Sequence, residues 1–392
     1  MSGLTFVKAS LYIILTICIV ITFIIAYTKL PMFGKIYTAQ HIEKIGSIVN
    51  YKNGRFHNLY EAIQSKNNQI KTWWLPRVFM KLNFILSIFT KTEKQIPHLP
   101  ISALAVNFEE LDKNEDMIIW LGHASCFIQI HGIRILVDPL FSEISSPIPF
   151  FPKAMAGTNI YHARNIPNID FLIITHDHWD HLDYETVLQL KQKIGKVVCP
   201  IGVGAHFRRW KFDNSKIVEM SWDEIFVEES HQNLKIHCLP AHHSSGRGFT
   251  RNKALWGSFL IEYKRNSSED SLKIYLGGDS GYSKHYVDIG KKFAPIDFVL
   301  LNSGQYDKRW PQNHMNPSQV IQATKDLVAK KLIPIHICRL SIGANHAWDE
   351  PLHKLLKKTQ YKNASFCLLT PRIGEVIKIQ DNNQKFSAWW EQ

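Results

Sequence analysis

The stretch "IITHDHWDHLD", residues 173–183, places three histidines and three aspartates in eleven positions, directly behind an apolar run. A single loop histidine carries no message. Four possible ligands in six residues, His176, His178, Asp180 and His181, are the pattern of a metal site. In extended chain, residues two apart point to the same side, so His176 and His178 converge on one ion where the strand ends. Asp180 and His181 lie past the turn and face a second. A dinuclear site needs further ligands from distant chain. His243 after "LKIHCLPAH", Asp279 after "LKIYLGG" and His336 in "LIPIHIC" stand at the ends of similar apolar runs. The glycines of "GGDSGY" allow the backbone around Asp279 to approach an ion closely.

These runs belong to a longer series. From Met117 onward, "MIIWL", "CFIQIHGIRILVDP", "IDFLIIT", "KVVCP", "LKIHCLP", "SFLIEY", "LKIYLGG", "IDFVLLN" and "LIPIHIC" each suit a strand. Gly132 predicts a tight hairpin turn. Helical segments are expected over 184–193, 203–211, 283–293 and 317–330, with Asn316 as N-cap and Pro317 in the first turn. Hairpins come first, then alternating strand and helix. This order suits an α/β architecture of two sheets packed face to face with helices outside.

The N-terminus adds a second feature. Ala9 to Thr28 is a run of 20 residues without a charge, between Lys8 and Lys29. As a helix it covers the roughly 30 Å hydrocarbon core of a bilayer. Tyr27, Lys29, Leu30 and Pro31 make a poor cleavage context, so the run reads as an uncleaved single-pass anchor. Lys29, Lys35 and Lys44 against Lys8 lean toward a cytoplasmic main domain. "IKTWWLPRVFMKLNFILSIFTK", residues 70–91, carries cations and no acids and suits either a membrane-surface helix or a helix packed on the main domain. Residues 91–100 read as a linker. The expected organisation is an anchor over 1–29, an N-terminal extension over 30–105 and a catalytic domain over 106–385.

Composition narrows the classes. The formal net charge of +12 suits an acidic partner, such as an anionic membrane or a phosphorylated substrate, but many basic proteins have none. Outside the anchor the cysteines number five and no CxxC occurs, which reads as reduced, buried thiols. No nucleic-acid module is appended, and no nucleic-acid partner is expected.

"THDHWDH" resembles the HxHxDH signature of the metallo-β-lactamase superfamily, whose fold is an αββα sandwich. "WLGHAS" (120–125), "LVDPLFS" (136–142), "PAHHSSGRG" (240–248), "ALWGSFLIE" (254–262), "GGDSGY" (277–282), "RW" (309–310), "HMNP" (314–317), "PIH" (334–336) and "NGRFHN" (53–58) are similar to one branch. That branch is the N-acyl-phosphatidylethanolamine-hydrolysing phospholipase D family with its bacterial relatives, near the ascorbate-phosphate lactonase group. The resemblance implies two Zn²⁺ ions. His176, His178 and His243 would hold one, Asp180, His181 and His336 the other, and Asp279 would bridge them. The family pattern P-A-x-H selects His243 over His242. Asp138 resembles the aspartate that supports the ligands from behind, and His123 is assigned to the same place. His314 is the candidate for protonating the leaving oxygen, and Arg247 for pairing with a phosphate oxygen. "ICRLS" after His336 and "NSGQY" at 302–306 depart from the family pattern where it is expected to line the substrate pocket.

The implied activity is a membrane-anchored zinc phosphodiesterase. A zinc-held hydroxide would attack the phosphorus of an N-acyl-phosphatidylethanolamine or related glycerophospholipid in the same bilayer. Two alternatives stand beside it: a zinc hydrolase of a soluble lactone or sugar phosphate, and a non-catalytic membrane platform. The oligomeric state is open, with a homodimer in view.

Overall fold

The structure is a computed structural model that describes residues 3–37, 50–60, 93–148, 151–265, 271–361 and 364–391. The segment 70–91 lies outside these residues. Helix α1 (Gly3–Thr28) is continuous, and its stretch Phe6–Thr28 is apolar enough to cross a membrane and is not buried against the protein. A single 3-10 turn, Pro31–Phe33, follows and ends at Gly34, whose φ of 70° turns the chain back toward the main body. A small hairpin, β1 (Tyr51–Lys52) and β2 (Arg55–Phe56), turns at Asn53 and Gly54, both at positive φ as such a tight turn requires.

Two seven-stranded sheets form the body. The first contains β3 (Met117–Gly122), β4 (Ser125–Ile130), β5 (Ile133–Val137), β6 (Ile169–Ile173), β7 (Ile194–Pro200) and β8 (Ile217–Met220), with β16 (Val376–Lys378) beside β3. The second runs from β9 (Ile225–Phe226) through β10 (Leu234–Leu239), β11 (Ser258–Lys264), β12 (Ser271–Leu276), β13 (Ile296–Asn302) and β14 (Ala329–Ile335) to β15 (Cys367–Leu368). Both begin as antiparallel hairpins and continue with parallel strands.

Strand periodicity explains the layers. On β11 to β13, Phe259, Ile261, Ile274, Phe298 and Leu300 face a core shared with Ile118, Phe127, Ile135 and Phe171 of the first sheet. The alternate residues Leu260, Tyr275, Val299 and Leu301 pack outward. There they meet Tyr286, Ile289 and Phe293 of α4 (His285–Phe293), Val320 and Ile321 of α5 (Pro317–Asp326), and Leu355 of α6 (Glu350–Tyr361). The first sheet is followed by the shorter helices α2 (Tyr184–Leu190) and α3 (Gly204–Arg209).

Asn316 caps α5 as expected: its side chain accepts from the backbone N–H of Ser318 and Gln319, and Gln319 reciprocates. The helix stops at Asp326, short of the expected 330, because Val328 takes a φ of 50° and β14 begins at Ala329. Helix α6 lies outside the helical segments expected from the sequence. The expected linker is also docked, since Gln95 is buried and donates to the Ala344 carbonyl at 2.7 Å. All six cysteines are free; Cys126, Cys199, Cys238 and Cys338 are buried, but Cys367 is exposed on the edge strand β15.

Candidate metal centre

β5, β6, β10, β12 and β14 all point their C-terminal ends to one edge of the sandwich. Asp138, the loop 174–183, His243, Asp279 and His336 follow these ends. The two sheets meet there through the His336 N–H, which donates to the His123 carbonyl at 2.7 Å. Asp138, His123 and His336 have φ values of 39°, 52° and 62°. Non-glycine residues are costly in this region, and such strain gathers at functional sites.

His176, His178 and His243 form one group of donors. His176 Nε2 and His243 Nε2 lie 2.9 and 3.2 Å from His178 Nδ1. Thr175 Oγ1 donates to Asp138 Oδ2 at 2.6 Å and so can accept from His176 Nδ1 at 3.0 Å. That tautomer turns the Nε2 lone pair of His176 into the cluster. Burial holds His176 and His243 well below the usual imidazole range, so both are neutral. Three neutral ring nitrogens this close, with the His176 lone pair turned inward, make a donor set that suits a cation.

Asp180, His181 and His336 form the second group, together with His123. Asp180 Oδ2 is 3.3 Å from His336 Nε2, 3.7 Å from His181 Nε2 and 2.9 Å from His123 Nε2. His181 Nδ1 faces Asp138 Oδ2 at 2.8 Å, which leaves Nε2 free for the centre. Asp138 also accepts from the Thr175 N–H at 2.8 Å. Asp279 reaches both groups: Oδ2 is 3.2 Å from His181 Nε2 and 3.8 Å from His243 Nε2, and Oδ1 is 3.2 Å from His336 Nε2. His181 Nε2 and Asp279 Oδ1 are buried without hydrogen-bond geometry to any described partner, as atoms aimed at a shared point would be. Burial alone would raise the Asp279 carboxyl; His336, His181 and His314 outweigh it and hold the group well below the usual range. The donor set therefore fits a pair of divalent cations.

Other expected residues fall at different distances from this centre. His123 was expected behind the ligands, yet its Nε2 lies among the donors of the second group. His314 Nδ1 is 3.8 Å from Asp279 Oδ2 and 3.4 Å from the Asn302 amide nitrogen. Burial pushes His314 down to about 4, so at neutral pH it offers a hydrogen bond rather than an imidazolium proton. His242 turns away to the Gln312 carbonyl. Arg247 corrects its expected role. It is buried, burial lowers it only to about 10, and all three nitrogens donate to backbone carbonyls of Met32, Asp177 and Leu182. It has no open face for a substrate phosphate. Arg339, in the unusual stretch after His336, is likewise turned inward, onto Thr158, Ser142 and Asn159.

Several residues of the site were not anticipated. Asn58 clasps the backbone of His243 from both sides: Oδ1 accepts from its N–H at 3.0 Å and Nδ2 donates to its carbonyl at 2.9 Å. Its only signal was its place in "NGRFHN". Thr175 and Asn302 orient His176 and His314. Of the three aspartates in 173–183, only Asp180 faces the centre; Asp177 turns to His206 and the Gly246 N–H, and Asp183 to Ser142.

With this geometry the chain has relatives. A beta-lactamase superfamily domain matches residues 133–337. An uncharacterized protein of Mycobacterium tuberculosis is 30% identical over 345 residues, covering 87% of each chain. N-acyl-phosphatidylethanolamine-hydrolyzing phospholipase D 1 of Caenorhabditis elegans is 27% identical over 279 residues, 67% of this chain and 75% of that one. Among solved structures, CmlA, a diiron beta-hydroxylase from Streptomyces venezuelae, is similar with a TM-score of 0.50 at 21% identity, over 67% of this chain and 54% of that one; this likeness speaks for the fold alone. The sandwich, the clustered histidines and aspartates at its edge and these matches agree: the chain belongs to the metallo-β-lactamase superfamily, among its metal-dependent hydrolases.

Proposed function

We propose that this hydrolase is a membrane-anchored, dinuclear zinc phosphodiesterase that cleaves N-acyl-phosphatidylethanolamine, or a related glycerophospholipid, on the alcohol side of its phosphate. The observation that carries the reading is Asp279, one carboxylate within reach of both donor groups. Similarity to the Caenorhabditis elegans phospholipase supports the substrate class. The apolar helix over Phe6–Thr28 would place the enzyme in the bilayer that holds such a lipid.

In this reading His176, His178 and His243 hold one ion, Asp180, His181 and His336 the other, and Asp279 both. Two zinc ions there would lower the pKa of a water toward neutrality and polarise a phosphoryl oxygen. The chain's own residues supply the rest. Asp138 and Thr175 fix the tautomers of His181 and His176. Asn58 holds His243 in place. His314, with its Nδ1 facing the Asn302 amide, presents Nε2–H to an oxygen of the substrate or leaving group. Phosphatidate and the released alcohol are the expected products. The lysine balance around α1 favours a cytoplasmic catalytic domain, and a reporter fused after residue 40 tests that side directly.

The test is a panel of labelled lipids offered to purified, metal-analysed protein with and without chelator. Chelator-sensitive release of the alcohol from a phospholipid, with two zinc ions per chain, is expected. Turnover of lactones or sugar phosphates but of no phospholipid would overturn the substrate, and iron in place of zinc would overturn the metal.

A further inference from the structure

The segment leaving the membrane helix lies against the loop that carries four of the proposed ligands. Trp210 Nε1–H donates to the Pro31 carbonyl at 2.7 Å, and Arg209 donates to that of Lys29 at 3.2 Å. Arg247 is the centre of the contact. Its Nε and Nη2 donate to the Met32 carbonyl at 3.2 and 2.9 Å, while Nη1 donates to Asp177 and Leu182 at 3.1 and 2.8 Å. One guanidinium thus ties the segment to both ends of the stretch that contains His178, Asp180 and His181. It also lies 3.8 Å over the ring of Trp179, which meets Phe33 edge-on at 5.1 Å.

A second link runs beside the first. The Lys35 N–H donates to His206 Nδ1 at 3.1 Å, so His206 Nε2 carries the hydrogen and faces Asp177 Oδ2 at 3.3 Å. Gly34 is a condition for this link. Its φ is 70°, and a Cβ there would stand 1.8 Å from His206 Nδ1. On the membrane side, Tyr27 of α1 contacts both Pro147 and Phe33. Leu30, Ile36, Ile148 and Phe249 are exposed in the chain segments around this exit, Phe249 by 83%.

We propose that residues 29–37 are a positioning strap. They fasten the membrane anchor to the metal loop through Arg247 and His206, keep that loop in its ligating shape, and hold the centre at the bilayer surface. Arg247, His206, Gly34 and Phe33 act here as positioning residues. The proposal rests on the reading of a membrane-anchored metal hydrolase, but its first readout needs no substrate.

The full-length protein is placed in phosphatidylcholine vesicles, and metal release into excess chelator is followed with amide exchange at His181 and Leu182. Gly34→Ala should release metal about tenfold faster, the scale of losing an outer support, and should speed exchange at both amides. Phe33→Ala, which removes the ring contacts to Trp179 and Tyr27 but none of the hydrogen bonds, should act in the same direction more weakly and serves if Gly34→Ala does not fold. A short flexible Gly–Ser insertion between Thr28 and Lys29 keeps the strap but frees the anchor. It should leave metal release unchanged and lower turnover of bilayer lipid, while sparing a short-chain soluble phosphodiester. Wild-type metal release and exchange in both point variants would overturn the strap. Unchanged vesicle turnover after the insertion would overturn its orienting role. Absence of phospholipid cleavage altogether defeats the proposed substrate alone, because metal release still decides on the strap.

Discussion

The two sides of the metal centre are built differently. On the first sheet, four ligand candidates come from one loop, where the N–H groups of His181 and Leu182 return to the His178 carbonyl at 3.2 and 2.9 Å. On the second sheet, His243, Asp279 and His336 arrive singly, each just beyond a different strand. Ile174 and Leu182 bury the two ends of this loop in the core, and outside partners, among them Asp138, Arg247 and His206, hold the polar stretch between them. The single ligand candidates are set by the sheet and by strained or crowded backbone. His336 sits at positive φ, and Gly278 before Asp279 leaves no room for a side chain, since a Cβ would lie 2.9 Å from Thr175. The loop side should therefore depend on its supports, and the strand side on the ligands themselves.

Asp279→Asn tests the strand side hardest. It should remove metal from both groups and lower turnover by more than the 10- to 100-fold typical of losing an outer partner. Metal content by mass spectrometry checks it, and retention of two ions would break the idea of a shared carboxylate. Asp138→Ala tests the loop side. Metal affinity measured by chelator competition should fall about 10- to 100-fold, with the fold intact. His123→Ala separates a brace from a ligand. A brace predicts two ions held roughly tenfold more weakly; loss of one ion per chain would move His123 into the second group of ligands.

Asn58→Ala removes both hydrogen bonds to the His243 backbone. A loss of about 1–3 kcal/mol is expected in denaturant unfolding, since net hydrogen bonds contribute about 0.5–1.5 kcal/mol each. Asn316→Ala lies on neither side of the centre and removes only the cap of α5. It should cost about 1 kcal/mol and leave metal content unchanged. A larger loss of metal there than in Asp138→Ala would erase the distinction between the two sides.

Legibility follows the same division. His176, His178, Asp180 and His181 were readable because local spacing places them together. His243, Asp279 and His336 were readable as strand-end residues, but only the family resemblance separated His243 from His242. Arg247 was misread for a physical reason. A glycine-flanked arginine in a loop has the same sequence whether it meets a phosphate or the carbonyl of Met32, and only burial distinguishes the two. Helix α6 was overlooked although Leu352, Leu355 and Leu356 have helical spacing.

The sequence by itself determined the apolar membrane-length run, the strand series, the cap of α5 and the dense loop of ligand candidates. These features depend on periodicity or on spacing within a few residues. Tertiary structure decided which donors meet, that Asp279 reaches both groups, that His123 stands among them, and that the chain after the apolar helix lies on the ligand-rich loop. Each of those depends on which strand ends share an edge and on which polar groups lose water there. Neighbours along the chain do not specify either.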